Sequence, residues 1–536
     1  MAKTKKETNK KQNPIIKGDY PDPDVIRVED TYYMLCTTMH FLPGAVILRS
    51  YDLVNWEIAS YVFDSFGDNE EAKITYEHNS YGCGMWAGCL RYHKGRFYVS
   101  FGAKQTEKTY IFSAVNIEGP WERRCIDQYF HDASLFFDDD GRVYLVYGNT
   151  EIWIRELLPD LSGVMPEGYE RMLVKDTEDV IVGYEGSHFY KINGRYYLFL
   201  IHWPRTGTAR RTQACFCSDS LDSEFTGGTV LDDDIGFLNC GVAQGGIVEA
   251  VDGHWYSILF QDHGAVGRVP VLVPVYWEEG RPVFGENVFR ENVFRENGKV
   301  PSEISVPDSR PSYEYEPLYT SDNFMYRPEP DGSFRLKKQW QWNHEPEAKL
   351  WTILKDGGLR IITGKLSANV TQAVNTLTQR LMFPYSCVEV TVDAKGLQNG
   401  DYAGLCALQG CYGMLAVTRE LGRYYLVLIQ RHKSEKERFM RCNDYLPGTV
   451  TEKIMLTGSG IRMKLEANFD KGTDTVEFYY KKSADEINWT RIGEKHRLFF
   501  GLDHFTGCRC GLAVYATKEV GGFADFSQFV FTMREE

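Results

Sequence analysis

The sequence predicts an all-β protein of two large domains, a five-bladed β-propeller followed by a β-sandwich. Three observations carry that expectation: an aromatic-rich and turn-rich composition, a short hairpin pattern found five times before about residue 260, and strands of two-residue alternation after about residue 325. Aromatics make up 14% of the chain, with 33 Tyr and 31 Phe beside 49 Gly and 20 Pro, a mixture that suits pleated strands and tight turns better than helices. At 536 residues, with 43% hydrophobic and 25% charged, the balance is globular, which excludes a disordered, collagenous or disulfide-knot chain.

The elements follow in chain order. Residues 1–12 are Lys-rich and polar with no apolar stretch, and read as a disordered tail without a signal peptide. Residues 13–312 carry the repeat, a turn residue followed by aromatic β-formers around a tyrosine, at Tyr33, Tyr98, Tyr144, Tyr197 and Tyr256. The copies are spaced about 46 to 65 residues apart, which is the length of a four-stranded blade with variable loops. A run of prolines from Pro301 to Pro330 breaks the pattern, and residues 313–324 read as a linker or packed crossing segment. Just before it, Glu286–Arg290 is duplicated as Glu291–Arg295, too short a repeat to be structural and read as a lengthened loop. From 325 to 536, segments such as Val388–Val392, Ile461–Leu465 and Val476–Phe478 alternate with period two, as sandwich strands do.

Counting back twelve residues from four of the repeat tyrosines reaches Trp86, Asp132, Glu185 and Gln244, and eleven back from Tyr33 reaches Asp22. In a propeller these positions open the innermost strands, so they converge at one end of the central channel. Three carboxylates meeting in a pocket are the equipment of general acid and base catalysis. Taken singly, Asp22 between two prolines reads as an Asx turn, Asp132 as a strand-end cap and Glu185 as a surface residue; the shared register is what lifts them. Asp138–Gly141 reads as a solvated hairpin turn.

The net charge of −14 argues against nucleic-acid or anionic-membrane partners, which require a basic face, and favours a neutral or cationic substrate. No run of about 18 apolar residues occurs. The 13 cysteines are scattered, and Cys215/Cys217 and Cys508/Cys510 read as core filling on strand faces rather than metal ligands. A cytoplasmic, reduced protein is expected, with surface enough for a homo-oligomer.

At these residues the chain resembles glycoside hydrolase family 43. Asn13–Asp24 resembles the family's opening segment, Ser50–Trp56 its S-x-D-L-x-x-W signature, His131–Phe137 the segment with its third carboxylate and Glu185–Lys191 its general-acid segment. The resemblance implies an exo-acting β-xylosidase with α-L-arabinofuranosidase activity on small oligosaccharides, working by inversion with Asp22 as base, Glu185 as acid and Asp132 as modulator. The alternatives are an arabinan-degrading hydrolase and a non-catalytic carbohydrate-binding propeller. The resemblance further implies that Arg268 binds sugar hydroxyls; Trp86 and Phe41 are candidate stacking walls, with ordinary core packing as the alternative, and the register brings Gln244 to the same pocket. It implies that His263 holds a divalent cation, Ca2+, on the propeller axis. The second domain is expected to be lectin-like, with Phe505 of His504–Gly507 narrowing the pocket mouth. Trp86-Ala-Gly-Cys and Met39-His-Phe41 depart from the usual family pattern, which leaves leaving-group preference open.

Overall fold

The structure, a computed structural model, describes residues 8–67, 69–75, 78–286, 298–437, 440, 445–483 and 486–535. The duplicated segment 286–295 lies, beyond Glu286, outside the described residues. Five four-stranded antiparallel sheets form between Asp24 and Phe284, and their first strands are Asp24–Val28, Cys89–His93, Ser134–Phe137, Val180–Ile192 and Ile247–Glu249. Neighbouring first strands pack side by side from the first blade to the fourth, and the fifth packs back on the first, with Gly246 N–H donating to Pro23 O at 3.1 Å. The ring is thereby closed.

The repeat tyrosines all fall on the second strand of their blades. The turn before each explains the repeat's glycine. Gly95, Gly141, Gly194 and Gly253 have φ of 77°, 90°, 83° and 87°, and a Cβ at any of them would meet nothing within 4 Å. Backbone conformation rather than space therefore selects glycine there. In the first copy Glu29 adopts the left-handed turn instead, at φ 55°. The Ser50–Trp56 signature is a structural loop in which Asp52 accepts from Val54 N and Asn55 N, and Trp56 Nε1 donates to Leu53 O.

Two expectations are corrected here. The polar tail is structured in its last five residues, because Thr8–Gln12 pairs antiparallel with Glu303–Pro307. Asp138 is not a solvated turn residue; it is buried, accepting from Lys191 Nζ and Tyr196 Oη, each at 2.7 Å.

The crossing segment is packed rather than free, since Tyr313 Oη and Glu316 N both donate to the Glu57 carboxylate of the first blade. Beyond it, sheets of eight and seven strands make the β-sandwich. Strands that face solvent on one side keep the alternation seen in sequence, as in Tyr385–Asp393. Arg509–Ala516 is buried throughout: Leu512 and Val514 enter the inter-sheet core, whereas Ala513 and Tyr515 pack in a second cluster with Phe41. Trp340 and Trp342 are buried in the inter-sheet core. The propeller itself supplies the edge of the larger sheet, where Phe41–Leu42 pairs with Trp342–Asn343. Among the described residues no helix is long and apolar enough to cross a membrane.

Candidate active site

The register positions gather around one cavity, three of them lining it and two standing next to lining residues. Asp22, Asp132 and Gln244, with Ala87 beside Trp86 and Gly186 beside Glu185, line or border one cavity at the ring centre. Asp22, Ala87, Asp132, Gly186 and Gln244 all have positive φ, at 52°, 22°, 47°, 67° and 57°. Left-handed backbone at a non-glycine residue is strained, and such strain clusters where surrounding structure forces side chains toward a functional centre. Gly186 has a second constraint, as a Cβ there would lie 2.6 Å from Gln244 Cδ.

On one side of the cavity Asp22 is buried and receives Arg268 Nη1 at 2.9 Å. Arg268 is itself buried, lies 4.7 Å over the Phe505 ring and 5.3 Å over Phe260, and keeps Nε and Nη2 without an acceptor among the described residues. Buried guanidinium donors are costly to leave unmade, so this is a site prepared for oxygen acceptors. Phe505 comes from the sandwich, and its ring lies 5.8 Å from Trp86. The two aromatics form a wall shared by both domains.

On another side, His131, Asp132 and Glu185 bring their donor atoms within 4.8 Å of one another. Burial, with Glu185 and Asp22 nearby, pushes Asp132 up to about 7 against the pull of His131. Its folded form therefore holds a proton more tightly than the unfolded chain, and the stability this gives is lost as pH rises from about 4 to 7. Asp132→Asn is expected to raise Tm by a few degrees at pH 8 and leave it unchanged at pH 4 while lowering kcat; thermal melts at the two pH values check this.

Beneath the cavity lies a cluster that sequence reasoning missed. Asp24, fully buried, accepts from Leu90 N at 2.6 Å and Arg91 Nη1 at 2.8 Å on Oδ2, and meets His188 Nδ1 at 3.0 Å on Oδ1. Burial alone would raise its pKa, but Arg91 and His188 outweigh it and hold the carboxyl at about 2. This ties the first, second and fourth blades under the site. Asp24→Ala strands Arg91 in the interior and is expected to cost about 3–5 kcal/mol by urea denaturation at pH 7. The wild-type contribution is present above pH ~4 and lost as pH falls through 2. Asp24 and His188 both stand inside the segments that carried the catalytic motifs, which is the signal that was available.

One assigned residue is corrected, and a second is placed away from the carboxylates. Phe41 is not a pocket wall: it is buried in the sandwich cluster, with the Arg509 guanidinium 3.5 Å over its ring. His263, expected to hold a cation, stands in an aromatic stack. Its ring is stacked between Phe237 at 4.0 Å and Phe383 at 4.8 Å, its Nε2 meets Gln261 Oε1 at 2.8 Å, and burial lowers its pKa to about 3.

Comparison with known proteins gives the family. The family model described as Glycosyl hydrolases family 43 matches residues 11–282, and the Beta xylosidase C-terminal Concanavalin A-like domain matches 332–532. A beta-xylosidase of Formosa agariphila is 26% identical over 97% of this chain and 90% of its own length. Xylosidase/arabinosidase 43B of Humicola insolens is 25% identical over 97% of each chain. Among solved structures, a bifunctional GH43-CE protein of Bacteroides eggerthii superposes with a TM-score of 0.87 at 38% identity, covering 99% of this chain and 64% of that one. This chain thus spans about two thirds of that protein. With both domains matched and the three carboxylates gathered on the propeller axis, the chain belongs to glycosyl hydrolase family 43.

Proposed function

We propose that the protein releases D-xylose from the non-reducing ends of β-1,4-xylooligosaccharides and also cleaves α-L-arabinofuranosides, by single displacement with inversion. The observation that carries this reading is the division of the cavity: Asp22 held by Arg268 on one side, Glu185 with Asp132 and His131 on another. Asp22 takes a proton from the attacking water while Glu185 protonates the departing oxygen, the division of labour of inverting glycosidases. Arg268 Nε and Nη2 supply donors for sugar hydroxyls. The names of the Formosa and Humicola relatives support the substrate class.

Phe505 and Trp86 make the cavity a pocket, which favours removal of one terminal sugar over cleavage within an arabinan chain. A binding propeller without catalysis has no use for both an acid and a base. Phe505→Ala is expected to raise KM for xylobiose about tenfold, the scale of one lost aromatic contact, and to relax length selection in the products from longer xylooligosaccharides.

His263 Nε2 is already engaged by Gln261 Oε1 inside an aromatic stack, so no step of the proposal runs through a cation. Hydrolysis of aryl β-D-xyloside and aryl α-L-arabinofuranoside tests activity and preference together. Rates are expected to be the same with EDTA and with added Ca2+; loss on chelation, restored by Ca2+, would contradict that part.

A further inference from the structure

Glu185 is held by residues that no motif argument used. His131 Nε2 lies 3.1 Å from Glu185 Oε2 and 3.7 Å from Asp132 Oδ2, and Asn149 Nδ2 donates to the same Glu185 oxygen. The far side of the imidazole is fixed as well, with Nδ1 2.9 Å from Tyr129 Oη. The His131 side chain is 24% exposed, so one ring touches the acid and still reaches solvent. Trp86 borders it, ring to ring at 6.2 Å.

We propose that His131 is the proton store of the general acid: a proton moves between His131 Nε2 and Glu185 Oε2, so the His131–Glu185 pair supplies the leaving group. This rests on the reading of Glu185 as the acid. The N–H bond at Nε2 breaks, its electron pair staying on nitrogen, as the O–H bond forms on Glu185. The carboxyl then gives that proton to the glycosidic oxygen as the bond to the anomeric carbon breaks, its electron pair going to the departing oxygen. Water bonds to the anomeric carbon and loses a proton to Asp22, which releases it to solvent. Solvent returns one to His131, and the balance closes as hydrolysis.

The surroundings suit that role. Burial would lower the His131 pKa, but Asp132 and Glu185 raise it to about 9, against a smaller opposing effect of Lys104. Asp22 faces the cluster through Asp132, and Tyr129, with Cys83 near it, is held protonated by burial and the carboxylates. A carboxyl facing a histidine that stays charged well above neutrality keeps a proton within one hydrogen bond at the pH where a carboxyl alone has lost it.

The test is His131→Gln, which keeps an N–H near Glu185 but cannot carry a titrating proton. With xylobiose, kcat is expected to fall about 10²-fold and the alkaline limb of kcat/KM to move down by at least one pH unit. With 2,4-dinitrophenyl β-xyloside, whose leaving group needs no proton, the loss is expected to be at least tenfold smaller. Equal losses on both substrates, or an unmoved alkaline limb, overturn the proposal. Glu185→Gln assayed alongside separates the two readings. If it shows the leaving-group selectivity and His131→Gln does not, only the proton store fails; if it shows none, the acid assignment fails. Should His131→Gln fold poorly, a ¹⁵N-histidine titration of the wild-type protein decides: His131 titrating near 9 supports the store, and titration near 6.5 rejects it.

Discussion

Asp22→Asn is expected to lower kcat about 10³-fold on every substrate, activated or not, while leaving Tm within a few degrees of wild type. The substitution keeps an oxygen to accept from Arg268 Nη1, so the buried guanidinium is not stranded and the pocket keeps its shape. Only the capacity to take a proton from water is lost. KM is therefore expected to change little, the signature of a group that acts in the transition state alone. Azide, a nucleophile with no proton to lose, is expected to restore turnover and yield a glycosyl azide. Activity within tenfold of wild type would place the base elsewhere.

Glu185→Gln carries the second large effect, and its size depends on the leaving group. For xylobiose, whose departing sugar must be protonated, a loss of about 10³- to 10⁴-fold is expected; for 2,4-dinitrophenyl β-xyloside the loss is expected to be about tenfold. A uniform loss across both substrates would point to a binding role for Glu185.

Much of this was legible because the propeller repeats its geometry. Five hairpin tyrosines fixed the blade register, and the register fixed Asp22, Asp132, Glu185 and Gln244 before any contact was visible. Left-handed turns enforce that register: glycine marks the hairpins openly, whereas Asp22, Asp132 and Gln244 adopt the same region with no residue type to announce it. What stayed hidden depended on neighbours remote in sequence. Phe41 looked like a pocket aromatic because nothing in its blade shows that its two-residue strand leaves to pair with Asn343 and Leu42's partner Trp342. His263 was named from the family resemblance alone, and its stacking partners, Phe237 and Phe383, come from different halves of the chain. His131 stood beside Asp132 in plain view, but its function lies in a 3.1 Å contact to another blade.

The two domains are also more interdependent than a boundary between them suggests. The Asp19 carboxylate, three residues before the base, accepts from Arg268 N and from Gly507 N of the sandwich, both at 2.8 Å. Gly507 has to be glycine there, since a Cβ would lie 1.9 Å from Val266 O. The loop carrying Phe505 is thus fastened to the segments that carry Asp22 and Arg268, which explains how an aromatic from the second domain keeps its place over a pocket in the first.

The central claim is that Asp22 and Glu185 act on opposite partners of a single displacement. The most direct measurement is ¹H NMR of the xylose anomer first formed from an aryl β-D-xyloside, recorded before mutarotation. The account predicts α-xylose at the earliest time points, converting to the equilibrium mixture; initial release of β-xylose would mean a covalent double displacement and would contradict it.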